Sequence, residues 1–269
     1  MQHGQNPYID TKHPLHASKV KKQHERLVSV LQEPIIWRLP RGIKTPLPDI
    51  VFTANGGLFL PRLGCRGPIV LLPNMKYGQR KAELPYLAAM FARFGIRTMD
   101  YPGKEPFEGQ AELKWFDGGR KAVCGYGHRS TRRTFQELDE LFKQIYGPRN
   151  APTLLVLPLA SADYYHLDVA MCEYDDTKCF VHKRALTPAG HRKLRDFLGA
   201  KNVTVIDTTD SFCLNAVIDG PNMITHKLTD PSLKPLFEAK TGRRVIEVPT
   251  TEFEESGGSV RCMTLDVLG

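Results

Sequence analysis

No stretch of this 269-residue chain approaches the ~20 consecutive apolar residues that a membrane-spanning helix requires. A helical membrane protein is therefore excluded, and no membrane partner is expected. The N-terminus also lacks the apolar core of a signal peptide, so the expected location is cytoplasmic. Six cysteines (Cys65, Cys124, Cys172, Cys179, Cys213 and Cys262) never form close C-x-x-C pairs. In a chain this long that reads as reduced thiols, not as a zinc module or a disulfide framework. The other histidines, His13, His16, His24, His182, His191 and His226 among them, show no ligand spacing, and neither a metal nor an organic cofactor is expected. Gly95, Gly199 and Gly242 fall where helices stop, not in phosphate-binding loops. The net charge of +8 could suit nucleic acid. Its basic residues are scattered, however, apart from Lys19, Lys21 and Lys22 and the pair Arg132 and Arg133, with no aromatic residues interleaved. No nucleic-acid partner is expected; a homo-oligomer stays open.

What is present is a soluble-protein composition, 41% apolar and 25% charged, with a weak internal repeat. Five amphipathic helices can be read, over about 17–32, 81–94, 131–146, 188–199 and 231–242. The last two begin with Thr187-Pro188 and Asp230-Pro231 and stop at glycine, the usual helix punctuation. Each helix is followed by a short extended run, at 34–37, 96–99, 154–157, 203–206 and 245–248. A loop and another strand come next, usually turning back as a hairpin: 51–72, 111–124, 167–181 and 214–225. The period is roughly 50 residues, repeated five times. Units that cannot bury their sheets alone must pack together, and a closed ring protects the edges. The whole chain, 1–269, is expected to be one domain of five such units, the first and last incomplete.

The last unit ends in the stretch that organises the rest. Ser256, Gly257, Gly258 and Ser259 form a polar, glycine-paired loop that runs into Val260-Arg261-Cys262-Met263-Thr264-Leu265, which has the make-up of a short buried strand. Cys262 would sit where the loop meets the strand, and the glycines would allow close approach to its sulfur. In a ring of such units, each loop-to-strand junction falls near the central axis. The polar residues at those junctions are Asn55, Glu108, His166 with Asp168, Asn215 and Cys262. Taken singly, each has an ordinary alternative: a buried thiol for Cys262, a solvated turn for Glu108, a turn dipeptide for Asn55-Gly56, and a surface cap for His166. Arg129, close to Arg132 and Arg133, could belong to a solvated face. Two acids, a histidine, a cysteine and two amides at equivalent points of successive units favour a reactive centre.

The segments Phe52-Thr53-Ala54-Asn55-Gly56-Gly57, Phe107-Glu108-Gly109, Gly127-His128-Arg129, His166-Leu167-Asp168, Cys213-Leu214-Asn215 and Gly257-Gly258-Ser259-Val260-Arg261-Cys262 follow one another in the order of the guanidino-group modifying enzymes. The chain resembles that superfamily over nearly its whole length. The superfamily includes arginine deiminases, arginine dihydrolases, dimethylarginine dimethylaminohydrolases and amidinotransferases. The resemblance implies an α/β fold, the five-bladed α/β propeller called a pentein. It implies Cys262 as nucleophile, His166 as acid and base, and Glu108 orienting the histidine or holding the guanidinium. Asp168 would grip the guanidinium, Asn55 and Asn6 would complete the pocket, and Arg129 would hold the amino-acid end. The usual Phe-Glu-Gly-x-Gly-Asp is here Phe107-Glu108-Gly109-Gln110-Ala111-Glu112, which predicts a local shift around Glu108. Only five residues precede Asn6, where the family carries a further strand, so the run at 260–267 is expected to lack a ring-closing neighbour.

The implied substrate is a small guanidino compound. A guanidinium is planar and cationic, and two carboxylates can hold it in plane. The implied activity is hydrolysis of the guanidino C–N bond of arginine or an N-methylated arginine through a covalent amidino-thioether. Asn55, where deiminases carry an acid, favours the branch that takes arginine to ornithine and ammonia; dimethylarginine hydrolysis ranks next. The alternatives are an amidinotransferase and a catalytically impaired arginine- or guanidinium-binding protein of the same fold.

Overall fold

The computed structural model of the chain describes residues 15–62 and 68–267. The first expected helix is α1, Ala17–Val28, which buries Gln23 and Leu27. A single 3-10 turn, Thr53–Gly56, then leads into an antiparallel pair, β1 (Leu58–Phe59) with β2 (Ile69–Leu72). The helices α2 (Gly78–Lys81) and α3 (Leu84–Arg93) cross over to β3 (Arg97–Asp100), which lies parallel to β2. A parallel third strand needs such a crossover, and a helix supplies it. Pro85 is accommodated in the first turn of α3, where its missing N–H would have no partner.

The plan then repeats. A 3-10 turn at Gly109–Glu112 precedes β4 (Leu113–Phe116) and β5 (Lys121–Tyr126), and α4 (Arg132–Tyr146) crosses to β6 (Thr153–Pro158). Thr131 starts α4 with a reciprocal cap, its hydroxyl accepting from the Thr134 N–H. In the third unit α5 (Leu167–Ala170) precedes β7 (Met171–Glu173) and β8 (Cys179–His182), followed by α6 (Pro188–Leu198) and β9 (Val203–Ile206). The fourth has β10 (Val217–Asp219), β11 (Asn222–His226), α7 (Leu233–Thr241) and β12 (Arg244–Val248), and α8 (Thr251–Glu254) follows it. The result is four three-stranded sheets, each an antiparallel hairpin plus one parallel strand. The fold is mixed α/β. No helix among the described residues is long and apolar enough to cross a membrane.

Two expected strands are absent among the described residues. The run at 34–37 has no sheet partner, and Ile35 and Ile36 are exposed. The run at 260–267 is buried over its first residues but is a turn, not a strand. The Met263 N–H bonds to the Ser259 carbonyl at 3.1 Å and the Thr264 N–H to that of Arg261 at 3.1 Å. Val260, Cys262 and Met263 all enter one apolar cluster with Leu27, Phe52, Val217, Ile224, Val248 and Phe253. Burying such side chains is worth roughly 1.5–3 kcal/mol each, enough to override local β preference. A strand would have turned alternate residues away from that cluster.

Five segments far apart in sequence are joined to one another by hydrogen bonds. Asn55 Nδ2 donates to the Glu108 carbonyl (3.3 Å), and the Glu108 side chain meets His166 (2.9 Å). Asn215 Nδ2 donates to the Asp168 carbonyl (3.2 Å), and the Cys262 N–H donates to Asn215 Oδ1 (3.2 Å). The Ala54 N–H donates to the Cys262 carbonyl at 3.1 Å. Gly109 makes the first of these approaches feasible. Its φ is +67°, and a Cβ there would lie 2.7 Å from the Gly57 carbonyl oxygen.

Candidate functional site

Cys262 is 4% exposed, rooted by its own backbone between Ala54 and Asn215. Gly258 lets the preceding loop fold tightly over it: a Cβ there would fall 2.4 Å from the Phe52 ring and 3.0 Å from Cys262 Cβ. The sulfur has two polar neighbours, Asn215 Nδ2 at 3.1 Å and Asp168 Oδ2 at 3.5 Å. Asp168 lies in the first turn of α5, and His166 is the residue just before that helix. One short element therefore delivers both groups. Asp168 Oδ1 is buried with no hydrogen-bond partner among the described residues. Buried acceptors are rarely left so, and this one is ready for a donor.

His166 Nε2 stands 2.9 Å from Glu108 Oε2, and the same oxygen accepts from Arg129 Nη1 at 2.9 Å. Glu108 Oε1 accepts the Lys76 N–H at 3.1 Å. Despite the altered segment, Glu108 is fully buried and faces His166; the Glu112 carboxylate accepts its backbone N–H at 3.1 Å and holds it there. Arg129 is likewise buried, its guanidinium stacked over the rings of Tyr77 and Tyr165 at 5.0 and 5.3 Å. Neither Glu108 nor Arg129 belongs to a solvated face.

The electrostatics follow from this geometry. Burial would raise the Glu108 carboxyl, but the Arg129 guanidinium and the His166 bond outweigh it and hold it well below the usual carboxylate range. Burial lowers the His166 pKa more than Glu108 can restore it, which favours the neutral imidazole. The Cys262 thiol is pushed far up, by burial first and by the Asp168 carboxylate second. The resting sulfur is a thiol that needs activation.

Cys262, His166, Asn55 and Arg129 line one small cavity, together with Arg80 and Asp49. Its free space is about 20 Å³, room for roughly one water molecule. Glu108 and Asp168 stand behind that lining. Asn6 lies outside the described residues. Sequence reasoning missed Arg80 altogether. It sits in α2, fully buried, with Nη1 on Asn55 Oδ1 (2.8 Å) and a two-point ion pair to Glu83 (3.0 and 2.9 Å). The i,i+3 spacing to Glu83 was the one signal available, and it is common on exposed helices. Among the described residues no group of three or more His, Cys, Asp or Glu side chains comes together to hold a metal ion.

Known proteins carry a similar fold. The N-terminal domain of ArgZ, crystallised with product and described as an arginine dihydrolase of cyanobacteria, superposes with a TM-score of 0.81 at 26% identity, over 97% of this chain and 90% of that one. In sequence, the bifunctional arginine dihydrolase/ornithine cyclodeaminase ArgZ of Synechocystis sp. is 29% identical over 266 residues, 97% of this chain. This chain spans only 35% of the length of ArgZ and of the similar bifunctional enzyme AgrE of Nostoc sp.. The N(G),N(G)-dimethylarginine dimethylaminohydrolase of Mycobacterium tuberculosis is 26% identical over 276 residues, covering 97% of this chain and 80% of that protein. The family described as N,N dimethylarginine dimethylhydrolase, eukaryotic, matches residues 2–268, and the chain belongs to that family.

Proposed function

We propose that the protein hydrolyses the guanidino C–N bond of arginine through a covalent intermediate on Cys262. The observation that carries this reading is the sulfur held 3.5 Å from Asp168 in a cavity it shares with His166, itself paired with Glu108. Asp168, with one oxygen unpartnered, takes two N–H groups of the substrate guanidinium. The bound cation offsets the carboxylate charge that keeps Cys262 protonated, so the sulfur can attack as thiolate. Its proton passes to His166, whose lowered pKa favours the neutral form that can accept it. The C–N bond breaks as the imidazolium returns that proton to the leaving nitrogen, which departs as ammonia, leaving an S–C amidino-thioether. Water then adds to the same carbon as His166 takes its proton, and the C–S bond breaks to release citrulline and the thiol. Glu108 keeps the imidazole oriented and stabilises its charged form. Asn55 lines the pocket, and Arg129 with Arg80 supplies two guanidinium groups for the substrate carboxylate.

The resemblance of the centre to an arginine dihydrolase, and Asn55 in place of an acid, support a second hydrolytic round from citrulline to ornithine. The five hydrogen-bonded loops support a single-domain, five-bladed propeller as the parent architecture. The family match favours N-methylated arginine as the competing substrate. Incubation with arginine and with dimethylarginine tests both. Ornithine and ammonia from arginine are expected; citrulline from dimethylarginine alone overturns the ranking. If neither is consumed until an amine acceptor is added, the activity is amidino transfer instead.

A further inference from the structure

We propose that Asn215 is a catalytic residue of this centre, the donor that holds the Cys262 sulfur as a thiolate during attack and release. The inference rests on Cys262 being the nucleophile and assigns a role to a side chain that the reaction scheme above leaves unused. Asn215 is fully buried in the loop before β10. Its amide is committed at both ends. Oδ1 accepts the Cys262 N–H at 3.2 Å, while Nδ2 donates to Cys262 Sγ at 3.1 Å and to the Asp168 carbonyl at 3.2 Å. The orientation is forced, because the reverse would turn the NH2 toward a backbone N–H donor. The Asn215 carbonyl also accepts the Arg261 N–H at 3.2 Å. One side chain and its backbone thus position both the peptide carrying the sulfur and the segment carrying Asp168.

The two contacts on the sulfur pull in opposite directions. Asp168 Oδ2, an acceptor, favours the protonated thiol; Asn215 Nδ2, a donor, favours the thiolate. With a guanidinium on Asp168, the carboxylate is engaged and the amide donor remains. When the C–S bond breaks in the hydrolytic step, the departing sulfur takes up negative charge and the same N–H group receives it.

The test is the rate of Cys262 carboxamidomethylation by iodoacetamide at fixed pH, counted on the peptide that carries Cys262. Hydrogen bonds to charged groups are strong enough that losing this donor should slow alkylation about 10- to 100-fold. Asn215→Asp keeps the shape and the bond to the Cys262 N–H but replaces the donor by an acceptor. Asn215→Ala removes the side chain, and the wider opening works against the expected fall. With arginine, kcat should drop by a similar factor while KM moves less than about threefold, since the donor acts on the sulfur and not on the bound substrate. Alkylation of Asn215→Asp at the wild-type rate overturns the proposal. Alkylation reads the thiol without turnover, so it decides whether Asn215 stabilises the thiolate even if no guanidino compound is hydrolysed. That second result would remove the parent reading alone.

Discussion

Arg129 and Glu108 form a buried ion pair, Nη1 to Oε2 at 2.9 Å, on the oxygen that also meets His166. The carboxylate stays ionised in a dry site chiefly because this guanidinium opposes the cost of burial. Removing it should raise the Glu108 pKa and relieve a charge that also depresses His166. Arg129→Ala is therefore expected to shift the acid limb of the kcat/KM profile for arginine to higher pH and to lower its plateau about 10- to 100-fold. A plateau loss with an unmoved acid limb would mean that Arg129 binds substrate but does not tune Glu108.

Gly109 carries two separate demands, a positive φ and a close approach to the Gly57 carbonyl. Gly95 has nearly the same φ, +68° against +67°, but open space where a Cβ would point. Gly95→Ala should cost about 1 kcal/mol, the backbone strain alone. Gly109→Ala should cost several times more and should also depress activity, because the displaced loop carries Glu108. Chemical denaturation of the two variants measures the difference. Equal losses would show that the contact between the first two loops can relax freely.

His226 lies between two carboxylates, 2.7 Å from Asp210 and 3.0 Å from Glu254. Glu254 ends α8, which leads into the loop of Ser256 and Gly257 that walls the cavity. Burial alone would lower the imidazole pKa, but Asp210 and Glu254 raise it from 6.5 to about 9. A group whose folded pKa is raised stabilises fully below its unfolded value and loses that contribution as pH rises through the folded one. Stability should therefore fall between pH 6.5 and about 9, by on the order of 3 kcal/mol. His226→Gln should be less stable at the acid end of that window and nearly flat across it. Urea unfolding at several pH values checks this, and parallel curves for both proteins would contradict it.

The sequence singled out Cys262, His166, Glu108 and Asp168 because they fall at corresponding junctions of a repeating pattern, and the fold joins them in two contacts, His166 with Glu108 and Cys262 with Asp168. The four hairpins were legible for a related reason: turn residues between apolar runs leave the chain few alternatives. The terminal run was not. Val260, Met263 and Leu265 carry β preference, yet the backbone there answers to Asn215 and Ala54, both far away in sequence, and to an apolar cluster drawn from several parts of the chain. Arg80 left only its common i,i+3 spacing to Glu83 as a local mark, because its burial also depends on Asn55 and the backbone carbonyls of Asp49 and Phe52. Isolated basic residues read as solvated until the elements around them are placed.

The proposed reaction turns on a bond between the Cys262 sulfur and the guanidino carbon of the substrate. Acid quenching during steady-state turnover of arginine, followed by intact and peptide mass measurement, tests it directly. An adduct of arginine less ammonia is expected on the peptide carrying Cys262, absent from Cys262→Ala, which should also lose all turnover. Continued hydrolysis by Cys262→Ala, or an adduct on another cysteine, would contradict it.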